Sequence, residues 1–389
     1  MKKFFYYLLL AAVSISFYSC SSNNDEPEPI GGGEPTDSIA DVESNSFFIL
    51  NRGSSYSAID GTLSYYNYSV EDFDILKESL TIYKDSNDRS LGASPNDMAL
   101  YGDNLFILVY ESASMEIMNV KTMKKVNHID FNIGEINGEP TKSQPRHIAI
   151  NNGKAYITTY DGFLLQFDCE TQQMDGFIYL GKEGNNPDGV AVAGEDIYVA
   201  LSGGLNYQQG LPYDNKVVRL SRSPLQIVET IEVGLNPTDI VTNGTDVFVV
   251  CQGDYAPNGV KPMVYQIMGN IATARWAGSL AAIKDRQLYV INAPWDSEDP
   301  ITYTCYWTDN SADSYSFIEE GEGVDYPSAL GIDPVSGNIV IGSATMDGQY
   351  PSFSINGYYK MYSGTDGKKL MEGETGIDPY IVTFLPKAE

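Results

Sequence analysis

From about Phe47 onward the chain is built of short apolar runs, many alternating with polar positions, and each stops at a cluster of Gly, Asn, Asp or Pro. Alternation with a period of two is the mark of strands, and no stretch of useful length carries a helical period. The runs recur as a unit: a proline, then Asp, His or Gly about two residues on, an alternating strand, a polar turn, and a second strand rich in Tyr, Phe, Val and Ile. Clear copies begin at Pro95, Pro145, Pro187, Pro237 and Pro327, and a degenerate one without proline begins at Gly278. The last, Pro379 to Phe384, has no second strand after it, whereas Phe47 to Asn51 near the start looks like a second strand with no first. The starts lie roughly 42 to 52 residues apart, the length of a four-stranded blade. The pattern predicts an all-β fold, a seven-bladed β-propeller closed by pairing the N- and C-terminal strands in one blade.

In a propeller the second-to-third strand loops and the connections between blades lie on one face. Long second-to-third strand loops are expected at Arg52 to Gly61, Gly203 to Asp214, Gln252 to Lys261, Ala293 to Pro300 and Ala344 to Ile355. Long entry connections are expected at Lys84 to Ser94 and Asn132 to Gln144. The opposite face carries short turns such as Tyr101-Gly102-Asp103. Loops on a rigid scaffold carry function, so this asymmetry nominates one face for ligand binding. Its candidates are Arg52, Tyr56, Arg146, Tyr207, Tyr213, Asp239, Tyr255, Trp295 and Tyr350. Rigid aromatic plates beside amides and carboxylates suit a small ligand with a flat or sugar-like surface. The same aromatics could instead pack their own loops. Asp97, Asp188 and Asp239 would ring the channel mouth, or each could cap a turn through its own backbone. His147 stands where other copies have Asp, and reads either as a channel-lining group or as a satisfied core histidine.

The N-terminus changes the setting. Met1-Lys2-Lys3, an apolar run from Phe4 to Val13 and Ser14 to Cys20 form the layout of a secretory signal, too short to span a bilayer as a helix. Ser16-Phe17-Tyr18-Ser19-Cys20 resembles a lipobox, so residues 1–19 are expected to be a lipoprotein signal peptide and Cys20 the lipidated residue. An ordinary cleavage site beside a free cysteine is the alternative. Residues 20–44, acidic and rich in Pro and Gly, read as a flexible tether, and residues 45–389 as the propeller. The tether also resembles the acidic export signal of surface-exposed lipoproteins; a plain linker facing the periplasm is the other reading. The expected location is the outer membrane, lipid-anchored and facing the exterior.

Composition narrows the ligand. The formal charge of -28 becomes -30 once residues 1–19, with two lysines and no acid, are removed. Such a surface repels nucleic acid and anionic lipid, so contact with a membrane is expected through the anchor alone. Cys169, Cys251 and Cys305 have no metal or disulfide spacing and read as buried small side chains. With two histidines and no nucleophile elbow or metal-binding His cluster, no catalytic residue is assigned and an enzyme is not expected. Glycosidase-type carboxylate pairs cannot be recognised by spacing among 52 acids. No cofactor is expected, although Asp296-Ser297-Glu298-Asp299 could hold Ca2+ without matching a known calcium loop.

The runs Phe48-Ile49-Leu50-Asn51-Arg52-Gly53, Gln144-Pro145-Arg146-His147-Ile148-Ala149, Gly153 to Gly162 and Tyr198-Val199-Ala200-Leu201-Ser202-Gly203-Gly204 resemble the YncE-like propeller lipoproteins. Within them the likeness is to the BtuG-type branch, surface proteins that capture cobalamin above a TonB-dependent outer-membrane transporter. The resemblance covers about Asn45 to Pro386. It implies a binding protein for cobalamin or a related corrinoid, with such a transporter as partner. Where related proteins often carry Asn-Glu-Gly after the first strand, this chain has Asn51-Arg52-Gly53. An adhesion or protein-interaction propeller, or a lactonase-like enzyme, are the competing functions.

Overall fold

The computed structural model describes residues 44–386 apart from 132–133, 137–138, 142, 204–211, 257, 295–298 and 310–311. Cys20, the signal peptide and nearly all of the tether lie outside the described residues. The rest forms seven four-stranded antiparallel sheets. From the innermost strand outward, the first blade is Pro379–Phe384, Ser44–Asn51, Thr62–Ser69 and Ile75–Ser79, so the two ends of the chain share one sheet. The second to seventh blades have innermost strands Pro95–Tyr101, Pro145–Asn151, Pro187–Ala193, Pro237–Thr242, Leu280–Lys284 and Pro327–Ile332. Each innermost strand packs on those of both neighbouring blades, the seventh against the first, so the ring is closed.

Burial explains the strand pattern. Second strands such as Val247–Cys251 are buried throughout, sandwiched between blades, and read as continuous apolar runs. Outermost strands such as Leu225–Glu232 alternate half-buried with exposed, one face inward and one in water. Seven apolar clusters fill the seven clefts between adjacent blades. Full burial of each large side chain contributes about 1.5–3 kcal/mol. Cys169, Cys251 and Cys305 are free and buried in these clefts.

The closing blade is held from both sides. Phe47, fully buried, pairs with Phe384 across the ladder and meets Tyr66, Tyr68 and Tyr359 at ring distances of 4.9, 6.0 and 5.3 Å. The buried Asn51 donates to Ser64 Oγ at 2.9 Å and accepts from Thr375 Oγ1 at 3.0 Å, tying the first blade to the end of the seventh.

The face expected to be elaborated carries the long loops. Residues 52–61, 202–215, 252–262, 293–301 and 344–357 separate second from third strands, the last with a small hairpin of Met346–Asp347 and Tyr350–Pro351. The entry to the second blade contains the helix Ile82–Asn87, whose buried Ile82 and Tyr83 cover the cleft between blades one and two. The entry to the third contains a hairpin of Gly134–Ile136 and Glu139–Thr141.

Candidate functional site

Every innermost strand that begins with proline has a register irregularity just after it, between Pro95 and Asp97, Pro145 and Ile148, Pro187 and Val190, Pro237 and Asp239, Pro327 and Ala329, and opposite Pro379. Proline has no N–H to offer the ladder, and a bulge re-aims the residues beside it. Leu280, which has no proline, pairs without a shift. The bulges turn polar residues toward the axis at the end of the channel that meets the long loops.

There they line a cavity of about 490 Å³ with Arg52, Asp97, Arg146, His147, Asp239, Gln252, Tyr255, Ser279, Tyr326, Phe353 and Tyr380 among its walls. A second cavity of about 480 Å³ continues along the axis and is lined almost entirely by aliphatic side chains and backbone. The two share Val190, Asp239, Ile240, Ala281 and Leu330. Asp239 therefore stands where the mouth meets the inner channel.

Most charges at the mouth are paired. Arg146 donates through Nε and Nη2 to the buried Asp188 at 2.9 to 3.1 Å, and its guanidinium lies 5.5 Å from the Tyr110 ring centre. Arg52 donates from Nε to Asp378 Oδ2 at 2.7 Å and lies 4.1 Å from the Tyr380 ring centre. Gly53, at φ +73, makes the turn behind Arg52; a Cβ there would stand 2.4 Å from the Ile59 carbonyl oxygen. His147 is buried with Nδ1 3.1 Å from Asp97 Oδ2. Its Nε2 is 3.3 Å from Asp188 Oδ1, within reach of charge attraction but outside hydrogen-bond geometry. Burial works against the imidazolium, but contacts with Asp188 and Asp97 outweigh it and hold the His147 pKa well above its usual value. Asp188 is pulled the other way: burial is overcome by Arg146 and His147, and its pKa falls.

Asp239 differs. Its Oδ1 accepts from its own neighbour's N–H, Ile240, at 2.8 Å, and it forms no ion pair among the described residues. Burial pushes its pKa up, and repulsion by Asp97 and Asp188 adds to this while His147 opposes it.

The structure thus gathers Arg52, Arg146, Asp239 and Tyr255 around one cavity. Tyr213 stands behind Tyr255, edge to face at 6.0 Å. Tyr56 is wholly exposed and Tyr350 is 58% exposed; both lie on loops of this face without lining the cavity. Tyr207 and Trp295 lie outside the described residues, as does most of Asp296 to Asp299. Asp97 and Asp239 both line the mouth and both accept from the following N–H, at 2.7 and 2.8 Å, so the two readings of these aspartates hold together. Asp188 directly follows its proline, as Arg146 does, and is consumed by that arginine. His147 is at once buried, partnered and channel-lining. Among the described residues no group of three or more His, Cys, Asp or Glu is placed to hold a metal.

Tyr380, Tyr326 and Gln252 were not singled out by sequence. Tyr380 directly follows Pro379, the position that Arg146 and Asp188 occupy in their blades, and that equivalence was the available signal.

Residues 45–375 match the model of a family described as a domain of unknown function, DUF5074. The chain belongs to that family. No curated protein matches it. Among solved structures it is similar to a hypothetical selenium-binding protein from Sulfolobus tokodaii, at 9% identity and a TM-score of 0.61, covering 89% of this chain and 94% of that one. It is similar to the hydrazine synthase of Kuenenia stuttgartiensis at 14% identity and 0.55, covering 76% and 96%. A functionally unknown protein from Desulfotomaculum acetoxidans matches at 11% and 0.53, covering 88% and 99%. At such identities the likeness establishes the propeller fold of this DUF5074 chain and nothing about its ligand.

Proposed function

We propose that the protein captures a small, partly planar ligand at the polar mouth of its channel and presents it to a partner, without transforming it. The observation that supports this best is the open cavity of about 490 Å³, walled by Tyr255, Tyr326, Phe353 and Tyr380 and set with arginines, a histidine and carboxylates. Mixed aromatic and polar walls on a rigid ring suit recognition, because the rings give contact area and the polar groups fix orientation. Cobalamin or a related corrinoid is the first candidate, on the resemblance to BtuG-type proteins. Its broad ring would lie across the mouth, which is too small to enclose it. The setting proposed is the outer membrane, with a lipid anchor at Cys20 and a TonB-dependent transporter as partner.

The rim favours a macromolecular contact beside the cavity. Tyr56 and Tyr350 stand exposed on neighbouring loops, which Ser57 and Ser354 join by a hydrogen bond of 3.3 Å. These aromatics belong to the partner-facing rim in this reading, and the cavity to the ligand.

Calorimetric titration of the purified protein with cyanocobalamin, other porphyrinoids and a glycan panel tests the proposal. Binding that Tyr380→Ala and Tyr255→Ala weaken at least tenfold while Tyr56→Ala leaves it unchanged is the expected result. Absence of binding across the panel, or insensitivity to both cavity substitutions, would remove it.

A further inference from the structure

We infer that Asp239 is the ligand's polar anchor, accepting a hydrogen bond from a nitrogen donor, either a carboxamide N–H or a protonated amine. The inference rests on the channel mouth being the ligand site, as proposed above, and adds the chemistry the ligand must bring there.

The argument is one of unequal satisfaction. Four carboxylates stand at or beside the mouth. Asp378 holds Arg52, Asp188 holds Arg146, and Asp97 holds His147 and the Ile148 N–H at 3.0 Å. Asp239 has its own backbone neighbour on Oδ1 and, among the described residues, no donor on Oδ2. Its side chain lines both the mouth and the channel beyond, so the free oxygen is accessible to an occupant of either.

Its surroundings reward a donor. The titratable groups that face it are His147 from the third blade, Asp97 from the second and Asp188 from the fourth. The two aspartates offset the imidazolium. An ionised Asp239, partly exposed to the cavity, therefore has no ion-pair partner of its own among the described residues. A ligand N–H seated on Oδ2 supplies what is missing, and a charge-assisted bond in such a place is stronger than one in water. An ether, an ester or a carboxylate at the same spot would meet a second acceptor and be rejected. The backbone fixes the position: Gly189 of the fourth blade lies so close that a Cβ there would be 2.5 Å from the Asp239 Cα. Asp239 is thereby held on rigid inner strands rather than on a loop.

The test uses two donors and a control: cyanocobalamin, whose rim carries primary carboxamides, tyramine, whose ammonium sits beside a flat ring, and 4-hydroxyphenylacetate, the acid counterpart of tyramine. Each is titrated calorimetrically into wild type and Asp239→Asn at pH 7 and pH 4.5, with unfolding midpoints confirming that the variant is folded. At least one donor is expected to bind wild type, to weaken tenfold or more in Asp239→Asn, and to lose affinity on acidification in wild type but not in the variant. Which donor does so identifies the source of the nitrogen. Equal donor binding in wild type and Asp239→Asn overturns the anchor, and leaves the mouth as ligand site if Tyr380→Ala still weakens it. Binding of 4-hydroxyphenylacetate alone also overturns the anchor while keeping the mouth. Failure of all three overturns the anchor and the corrinoid candidate together.

Discussion

At the residue scale the mouth shows how a buried charge can be firm in one place and costly in another. Arg146 and Asp188 satisfy each other through three N–H to O contacts, and Asp188 is almost wholly buried. Arg146→Ala leaves that buried carboxylate with the His147 imidazolium as its one remaining cation and should destabilise the protein by about 3 kcal/mol, whereas Tyr56→Ala, fully exposed, should stay within about 0.5 kcal/mol. Chemical denaturation of the two variants checks the contrast. His147, with its folded pKa raised, contributes stability that is fully present below its unfolded value of 6.5 and lost as pH rises through the folded one. Wild type should therefore lose stability relative to His147→Gln on the alkaline side of neutrality, measured by unfolding midpoints from pH 6 to 10. Asp239 has the opposite sense to a paired carboxylate. Because its folded pKa is raised, its ionised form opposes folding at neutral pH, so Asp239→Asn, which keeps the acceptor for the Ile240 N–H, should unfold no earlier than wild type at pH 7. Any gain should vanish as pH falls below the ordinary aspartate value.

At the scale of elements, the innermost strands are where sequence pattern and site chemistry meet. Proline at their start denies the ladder a donor, the bulge follows, and polar residues turn to the axis. Closeness of neighbouring inner strands is set by small residues, so Gly189→Ala pushes backbone against backbone and should cost about 1–3 kcal/mol. If its unfolding curve overlays wild type, the strands are looser than described. The closing strand matters in another way. Removal of residues 379–389 would strip Phe47, Ile49 and their neighbours of one flank and leave an unpaired sheet edge inside the ring. Loss of the single cooperative unfolding transition is the expected outcome, read by calorimetry. The elements themselves were legible in the sequence because strands between blades must be apolar on both faces and outer strands on one. The site was legible in part. Pro-x-Asp starts pointed to the axis, and Tyr380 carries the post-proline signal of Arg146 and Asp188, but its ring comes beside Arg52 only when the two ends of the chain meet.

For the whole molecule, charge and closure act together. An acidic surface of formal charge -28 surrounds a mouth in which three cations are already spoken for. A cationic probe such as tyramine should bind several-fold more weakly as NaCl rises from about 0.05 to 0.5 M; an affinity unchanged by salt, measured by calorimetry, would contradict this. The one-sided distribution of long loops makes the ring a scaffold with a working face, and the exposed Tyr56 and Tyr350 lie on that face outside the cavity. Repeat number, strand order and the split blade were determined by the sequence alone, because each copy must bury its apolar faces against the next and a strand without its partner must find it at the other end. The tertiary structure alone decided which charges cancel. Arg146 and Asp188 are 42 residues apart and Arg52 and Asp378 are 326 apart; only the closed ring brings them into contact, and only then is Asp239 left with no ion-pair partner among the described residues.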